Sequence, residues 1–253
     1  MKAAILQGRN ISKVYTQGTV KNEVLHQIDV DIYEKDFTVI MGSSGAGKST
    51  LLYVLSGMDA ASQGTVTYSG REISGLTQKR MAELRAEQFG FVFQQTHLVS
   101  NLTLFENVAV AGYVSRKDSG KQVEKRAIQL LDQMGVGKAG NRYPDQVSGG
   151  EAQRAAIARA MIKRPGIFFA DEPTGALNKS NSVEVLNLLT ELNRSGQSIL
   201  MVTHDLRAAV RGNRILYMED GGIVAQLTLD AYGEYEEKDR EERINSWLAG
   251  LQW

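Results

Sequence analysis

The 253-residue chain has no cysteine, only three prolines, and no excess charge of either sign, with 29 Lys+Arg against 29 Asp+Glu. The missing cysteine excludes disulfides, thiolate zinc sites and cysteine nucleophiles together. The charge balance argues against a nucleic-acid binder working through bulk positive charge, while leaving room for a local basic site. No stretch of about 18 residues is apolar enough to cross a bilayer, and the opening MKAAILQGRN has too short an apolar run for a secretory leader. A cytoplasmic chain is expected, one that contacts no nucleic acid and reaches any membrane through a partner. What the chain does have is 42% hydrophobic residues, enough for one large α/β domain or two small ones. Its 25 glycines point to tight turns in place of disordered linkers.

Strand signals dominate the first forty residues. Val24, Ile28, Val30 and Ile32 alternate, and Phe37-Thr38-Val39-Ile40-Met41 is an apolar run ending at Gly42. A helix is expected over Ser49–Ser56, a strand at Thr65–Tyr68, a helix over Gln78–Gln88 and a strand at Phe89–Phe93. From Leu102 to Lys163 the pattern becomes helical: Val123, Ala127, Leu130, Leu131 and Met134 share one face. A further helix opens at Gly149 and stops before Pro165. Buried strands are predicted at Ile167–Ala170 and Ile199–Thr203, with helices at Val183–Asn193 and Arg207–Val210. Ile215–Met218 and Ile223–Leu227 read as a hairpin around Gly221-Gly222. The segment Asp230–Arg243 has seven acidic against three basic residues, and Ile244, Trp247, Leu248 and Leu251 follow at helical spacing. That last stripe is expected to pack on its own domain, with a partner-binding helix as the less common alternative.

Gly42-Ser43-Ser44-Gly45-Ala46-Gly47-Lys48-Ser49 matches the phosphate-loop pattern, after a buried-type strand and before a helix. Glycines let successive N–H groups curl around one anion at a helix N-terminus. Lys48 reaches the β- and γ-phosphates, and the Ser49 hydroxyl can ligate Mg²⁺. A plain Gly/Ser turn would explain the glycines but not the Lys-Ser pair. Ile167–Ala170 ends in Asp171-Glu172, and a carboxylate at a strand end is costly without a compensating cation. Asp171 therefore suits Mg²⁺, and Glu172 suits polarising the attacking water. A strand-end cap on a following helix is the plainer reading, weakened because Pro173-Thr174-Gly175 interposes a loop. Asn178-Lys179-Ser180-Asn181 superficially matches a guanine-reading motif, but its last residue lacks the required carboxylate.

Val147-Ser148-Gly149-Gly150-Glu151, within Tyr143–Arg154, closely resembles the signature segment of the ABC ATPases, with Val147 and Glu151 as mild departures from Leu and Gln. By itself a Ser-Gly-Gly helix start is a common cap and also a second anion cradle. The resemblance spans roughly Ile5 to Leu227. It implies a P-loop NTPase (RecA-like) ABC cassette core of α/β class, with an antiparallel β-subdomain and a helical subdomain. The expected division is 1–94 and 161–228 for core and β-subdomain, 95–160 for the helical signature subdomain and 229–253 for a C-terminal helical extension. It also implies that Tyr15 stacks on adenine, that the ATP cradle runs from Gly42 through Thr50, that Gln94 touches Mg²⁺ and the attacking water, and that His204 contacts the γ-phosphate. Tyr15, Gln94 and His204 carry no signal as residue types; their order relative to Lys48 and Asp171 gives them meaning. Asn178 departs from the family's Asp in the loop after Glu172.

Within the ABC ATPases the chain looks like the MacB/LolD-like group, on Gly90–Gln95, Asn101–Thr103, Glu106–Val108, Glu172–Gly175 and Gly196–Asp205. Asn178 and the tail to Trp253 resemble the antimicrobial-peptide-resistance, bacitracin-exporter-like branch. The resemblance implies two copies packed head to tail around two Mg-ATP, Ser148–Glu151 of each capping the nucleotide of the other. It further implies a separate integral membrane permease whose coupling helix docks near Leu102–Val114. Export or removal of an antimicrobial peptide, a lipid-linked or a hydrophobic compound is the expected task. The stretch from Gln94 to Val147 is too short for the coiled coil of a chromosome-maintenance ATPase, and one cassette is too few for a ribosome-associated factor. A single-cassette regulator of cell division or cluster assembly stands as the alternative.

Overall fold

The computed structural model describes residues 2–114 and 118–251. In chain order the elements begin β1 (Ala4–Gln17), β2 (Val20–Tyr33), β3 (Phe37–Gly42), α1 (Lys48–Leu55), β4 (Gln63–Tyr68) and β5 (Arg71–Glu72). Then come α2 (Gln78–Gln88), β6 (Phe89–Phe93), α3 (Leu104–Tyr113), α4 (Gly120–Gln133), α5 (Gly149–Met161), β7 (Ile167–Asp171) and α6 (Lys179–Arg194). The last are β8 (Ser198–Val202), α7 (Leu206–Ala209), β9 (Arg214–Glu219), β10 (Gly222–Thr228) and α8 (Glu237–Gly250). The chain divides into two compact units, one of residues up to Thr77 and from Asn193 onward, the other Gln78–Leu192.

In the first unit, β2-β1-β4-β5 form an antiparallel sheet, and β10-β9-β3-β8 form a second sheet. β3 runs parallel to both β8 and β9 (Phe37 beside Ile199, Thr38 beside Arg214), and all six of its residues are buried. A central parallel strand covered on both faces is mostly apolar, which is why Phe37–Met41 reads as one run in which only Thr38 is polar. In β2 the alternation expected from Val24 is overturned: Leu25 is fully buried and Val24 only half-buried. Gln27 adopts φ 48°, and the pairing with β1 slips between Ile11–Ile28 and Lys13–Leu25, so a bulge turns the inward face over by one residue. The β9–β10 turn is likewise one residue earlier than expected, at Asp220-Gly221 (φ 43° and 75°), the Asp-Gly pair that a tight hairpin favours. Helix α8 lays Ile244 and Leu248 into its own unit, both buried, with Trp247 edge-on to Tyr217 at 6.4 Å. Own-domain packing of the tail therefore holds.

The second unit sets β6 parallel to β7, with Phe93 beside Asp171. Its core is aromatic: Phe169 stacks on Phe91 and meets Phe89 edge-on, each at 5.3 Å. Helix α4 buries Val123, Ala127, Leu130 and Leu131, as its periodicity requires, and Met134 just beyond it is also buried. Capping boxes start α3 (Thr103 with Glu106) and α4 (Ser119 with Gln122). Helix α6 begins at Lys179, four residues before the expected Val183. The Asn178 side-chain oxygen accepts the Asn181 N–H at 2.9 Å, and this cap recruits a polar turn that periodicity alone does not mark. No helix among the described residues is long and apolar enough to cross a membrane.

Candidate functional site

The phosphate loop sits where β3 stops and α1 starts, with Ser43, Ser44 and Gly45 exposed and Ala46 buried. Two of its glycines are obligatory. Gly42 lies at φ 150° with the Met218 carbonyl oxygen 2.1 Å from where a Cβ would stand, and Gly47 at φ 93° would drive a Cβ to 2.9 Å from the Val24 oxygen. Gly47 is also the N-cap of α1, and no side chain caps that helix. The Lys48 ammonium is folded back into the loop, donating to the carbonyls of Gly42 (2.9 Å) and Ser43 (2.7 Å) with the residue buried. A cation poised at a helix N-terminus, in a loop of small residues, fits a phosphate chain. Ser49 and Thr50 follow in the first turn of α1.

Tyr15, near the end of β1, is 43% exposed. Its hydroxyl donates to Asp59 at 2.7 Å and has Thr50 within hydrogen-bonding reach. Partial burial, then the Asp59 carboxylate, pushes that hydroxyl's pKa up. Lys13 stands over the ring at 4.8 Å and holds Asp59 at 2.6 Å. Burial alone would raise the Asp59 carboxyl, but Lys13 and Tyr15 more than offset it and hold it below the usual range. The β3–β8 register puts Ile40 beside Val202, so His204 leaves the sheet at the same edge as Gly42, exposed.

In the second unit Phe93 pairs with Asp171, and Gln94 and Glu172 each follow one residue past the ends of β6 and β7. Asp171 and Glu172 are both half-buried. Glu172 has φ 46°, the left-handed region that costs an ordinary residue about 1–3 kcal/mol. The turn is closed by the Gly175 N–H donating to the Glu172 carbonyl at 3.0 Å. Gly175 packs against the Gln94 amide, where a Cβ would come to 3.0 Å from Nε2.

The signature residues gather at the start of α5, against α6. Gly150 is pressed on Asn181, whose Oδ1 would lie 2.6 Å from an added Cβ. Ser148 caps α5: its hydroxyl accepts the Glu151 N–H at 3.2 Å, while the Glu151 carboxylate accepts the Ser148 N–H and hydroxyl at 2.8 Å each. The Ser148 N–H, then its hydroxyl, hold the Glu151 carboxyl below its ordinary range. Two donors of this second cradle, the Ser148 N–H and hydroxyl, are thus engaged by the chain's own carboxylate. Ser148-x-x-Glu151 is a capping-box spacing, a sequence signal that reading the segment only as an anion cradle misses.

A family model for the ABC transporter family matches residues 25–175. The macrolide export ATP-binding/permease protein MacB of Wolinella succinogenes is 42% identical over 229 residues. The match takes in 88% of this chain and 34% of MacB, so the chain spans about a third of that relative's length. The dimeric, post-hydrolysis structure of the ATP-binding cassette MJ0796 bound to ADP and Pi shares 34% identity, with a TM-score of 0.83 over 90% of this chain and all of that one. A second dimeric structure of MJ0796, described as a bacterial ABC transporter cassette, gives 35% identity and the same TM-score and coverage. The P-loop α/β cassette fold and the sequence relationship agree, and the chain belongs to the ABC transporter family, carrying its ATP-hydrolysing cassette.

Proposed function

We propose that the chain binds and hydrolyses Mg-ATP as the motor of a transporter, two copies clasping two nucleotides and driving a membrane permease from the cytoplasmic side. The observation that carries this is the Lys48 ammonium held by its own loop at a helix start that no side chain caps. Gly42–Thr50 cradle the phosphates, Lys48 neutralises charge on the β- and γ-phosphates, and Tyr15 stacks on adenine. Ser49 and Asp171, with Gln94, would hold Mg²⁺, which when bound neutralises phosphate charge. Glu172 takes the proton of the attacking water, Gln94 orients that water, and His204 donates to the γ-phosphate. Ser148, Gly149, Gly150 and Glu151 of the second copy close the pocket. The working division is a core and β-subdomain of 1–94 and 161–228, a helical signature subdomain of 95–160 and an extension from 229.

Kinship with a macrolide exporter and with dimeric cassettes supports the transport and dimer parts of this reading. A cavity of ≈ 360 Å³ at the start of α3, lined by Phe105, Ile128 and Leu131 among others, and the exposed Val110, Tyr113 and Val114 support a permease contact near Leu102–Val114. The cargo we propose is an antimicrobial peptide, a lipid-linked or a hydrophobic compound, exported or removed from its target. The test is Glu172→Gln: ATP binding is kept, turnover drops at least a hundredfold, and a dimer persists in Mg-ATP by size exclusion. A monomeric variant that hydrolyses at the wild-type rate would remove Glu172 from the mechanism. For the cargo, permease-bound protein in vesicles is expected to turn over ATP faster when such a compound is added, and a flat response argues against it.

A further inference from the structure

The parallel ladder between β6 and β7 ends at the pair Phe93–Asp171. Beyond it the two backbones carry Gln94 and Glu172 without strand pairing to hold them, and Glu172 has already turned left-handed. One side chain of α5 reaches both segments. Gln153, on the second turn of α5 and 1% exposed, donates from Nε2 to the carbonyl of Phe93 at 2.9 Å and to the carbonyl of Pro173 at 2.7 Å. Phe93 immediately precedes Gln94, and Pro173 immediately follows Glu172.

The chemistry of this contact separates positioning from filling. Both amide hydrogens are used, one on the last residue of β6 and one in the turn that follows β7, and a neutral carboxamide is suited to this because it brings two donors without a buried charge. Its own Oε1, however, is buried and has no hydrogen-bond partner among the described residues. A residue present only to fill space would be apolar and would leave no acceptor orphaned. Farther along the same helix, Arg159 donates to the carbonyls of Thr96 (2.7 Å) and His97 (2.6 Å), so α5 also holds the segment that follows Gln94.

We infer that Gln153 is a positioning residue for hydrolysis: its amide fixes the spacing and aim of Gln94 and Glu172, so the helix that opens with the signature segment sets that pair. The inference rests on the roles given above to Gln94 and Glu172. It makes α5 a mechanical link, since a shift of the Ser148 end displaces the Gln153 amide and with it both carbonyls.

The test uses the whole chain and two variants. Gln153→Met keeps the volume and removes both donors; Gln153→Asn keeps the amide but is one methylene too short to reach both carbonyls. Expected for either is a kcat at least tenfold lower, with KM and the dissociation constant for ATP within twofold of wild type and cooperative thermal unfolding retained. A folded variant with wild-type kcat, or one in which kcat falls only as ATP affinity falls, overturns the inference. So does failure of both variants to fold, which would mark Gln153 as a core residue. Glu172→Gln measured in parallel separates the two claims. If it hydrolyses normally, the base assignment falls and this inference with it; if it is inactive beside a wild-type-like Gln153→Met, only this inference falls.

Discussion

Helices α1 and α5 both start where glycine and serine meet, α1 after a glycine-rich turn and α5 with Gly149-Gly150 as its first residues, and each has the positive end of a helix dipole at that start. They dispose of that end in opposite ways. At α1 the N-cap is Gly47 in the left-handed region, no side chain caps the helix, and a lysine ammonium is held beside it. At α5 the N-cap is Ser148 in extended conformation, and Glu151 returns its carboxylate to the Ser148 N–H and hydroxyl. One helix start is built to receive an anion from outside the chain, while the other already holds one from within. For the proposed nucleotide clasped between two copies, α1 would meet phosphate with charge in its favour, whereas α5 would meet it through a box that carries a negative charge of its own.

The comparison breaks most severely at Lys48. Lys48→Ala is expected to weaken ATP binding at least a hundredfold, because nothing in the loop replaces its charge; normal titration with ATP would show that the two helix starts are not electrostatically distinct. Gly47→Ala comes next. Its φ and the close Val24 carbonyl predict a loss of about 2 kcal/mol of stability, read by chemical denaturation, whereas Ser148→Ala at the other cap should cost about 1 kcal/mol. Equal losses would mean that the left-handed cap is not under the constraint described.

The smallest effect belongs to Glu151→Gln. Removing the charge should tighten ATP-driven self-association a few-fold by size exclusion, and weaker association would count against charge opposition at α5. Its pH dependence has a defined sign. The Glu151 carboxyl is held below its ordinary value, first by the Ser148 N–H, so its stabilisation is complete above that ordinary value and is lost as pH falls through the depressed one. The stability gap between wild type and Glu151→Gln should therefore close on acidification; a gap that widens would contradict the capping geometry.

Elements were legible in the sequence where burial is two-sided or strongly periodic. β3, β6, β7 and β8 are apolar runs, and α4 shows its stripe. The inward face of β2 was not, because a bulge at Gln27 exchanges Leu25 for Val24. The start of α6 was hidden because Asn178 caps a polar first turn. The same bond bears on the departure from Asp at this position, since Asn and Asp cap a helix about equally well.

By itself the sequence determined the phosphate loop, because glycines, lysine and serine are consecutive there and the turn and helix start they form are local. The capping box at Ser148–Glu151 is equally local and was written in the spacing. What only the tertiary structure decided is how the segments that carry Gln94 and Glu172 are brought together. It depends on the pairing of β6 with β7 and on Gln153, whose partners lie 60 and 20 residues away along the chain. A local pattern prescribes its own turn, whereas a hydrogen bond between distant residues exists only after the segments that carry its acceptors have been brought together.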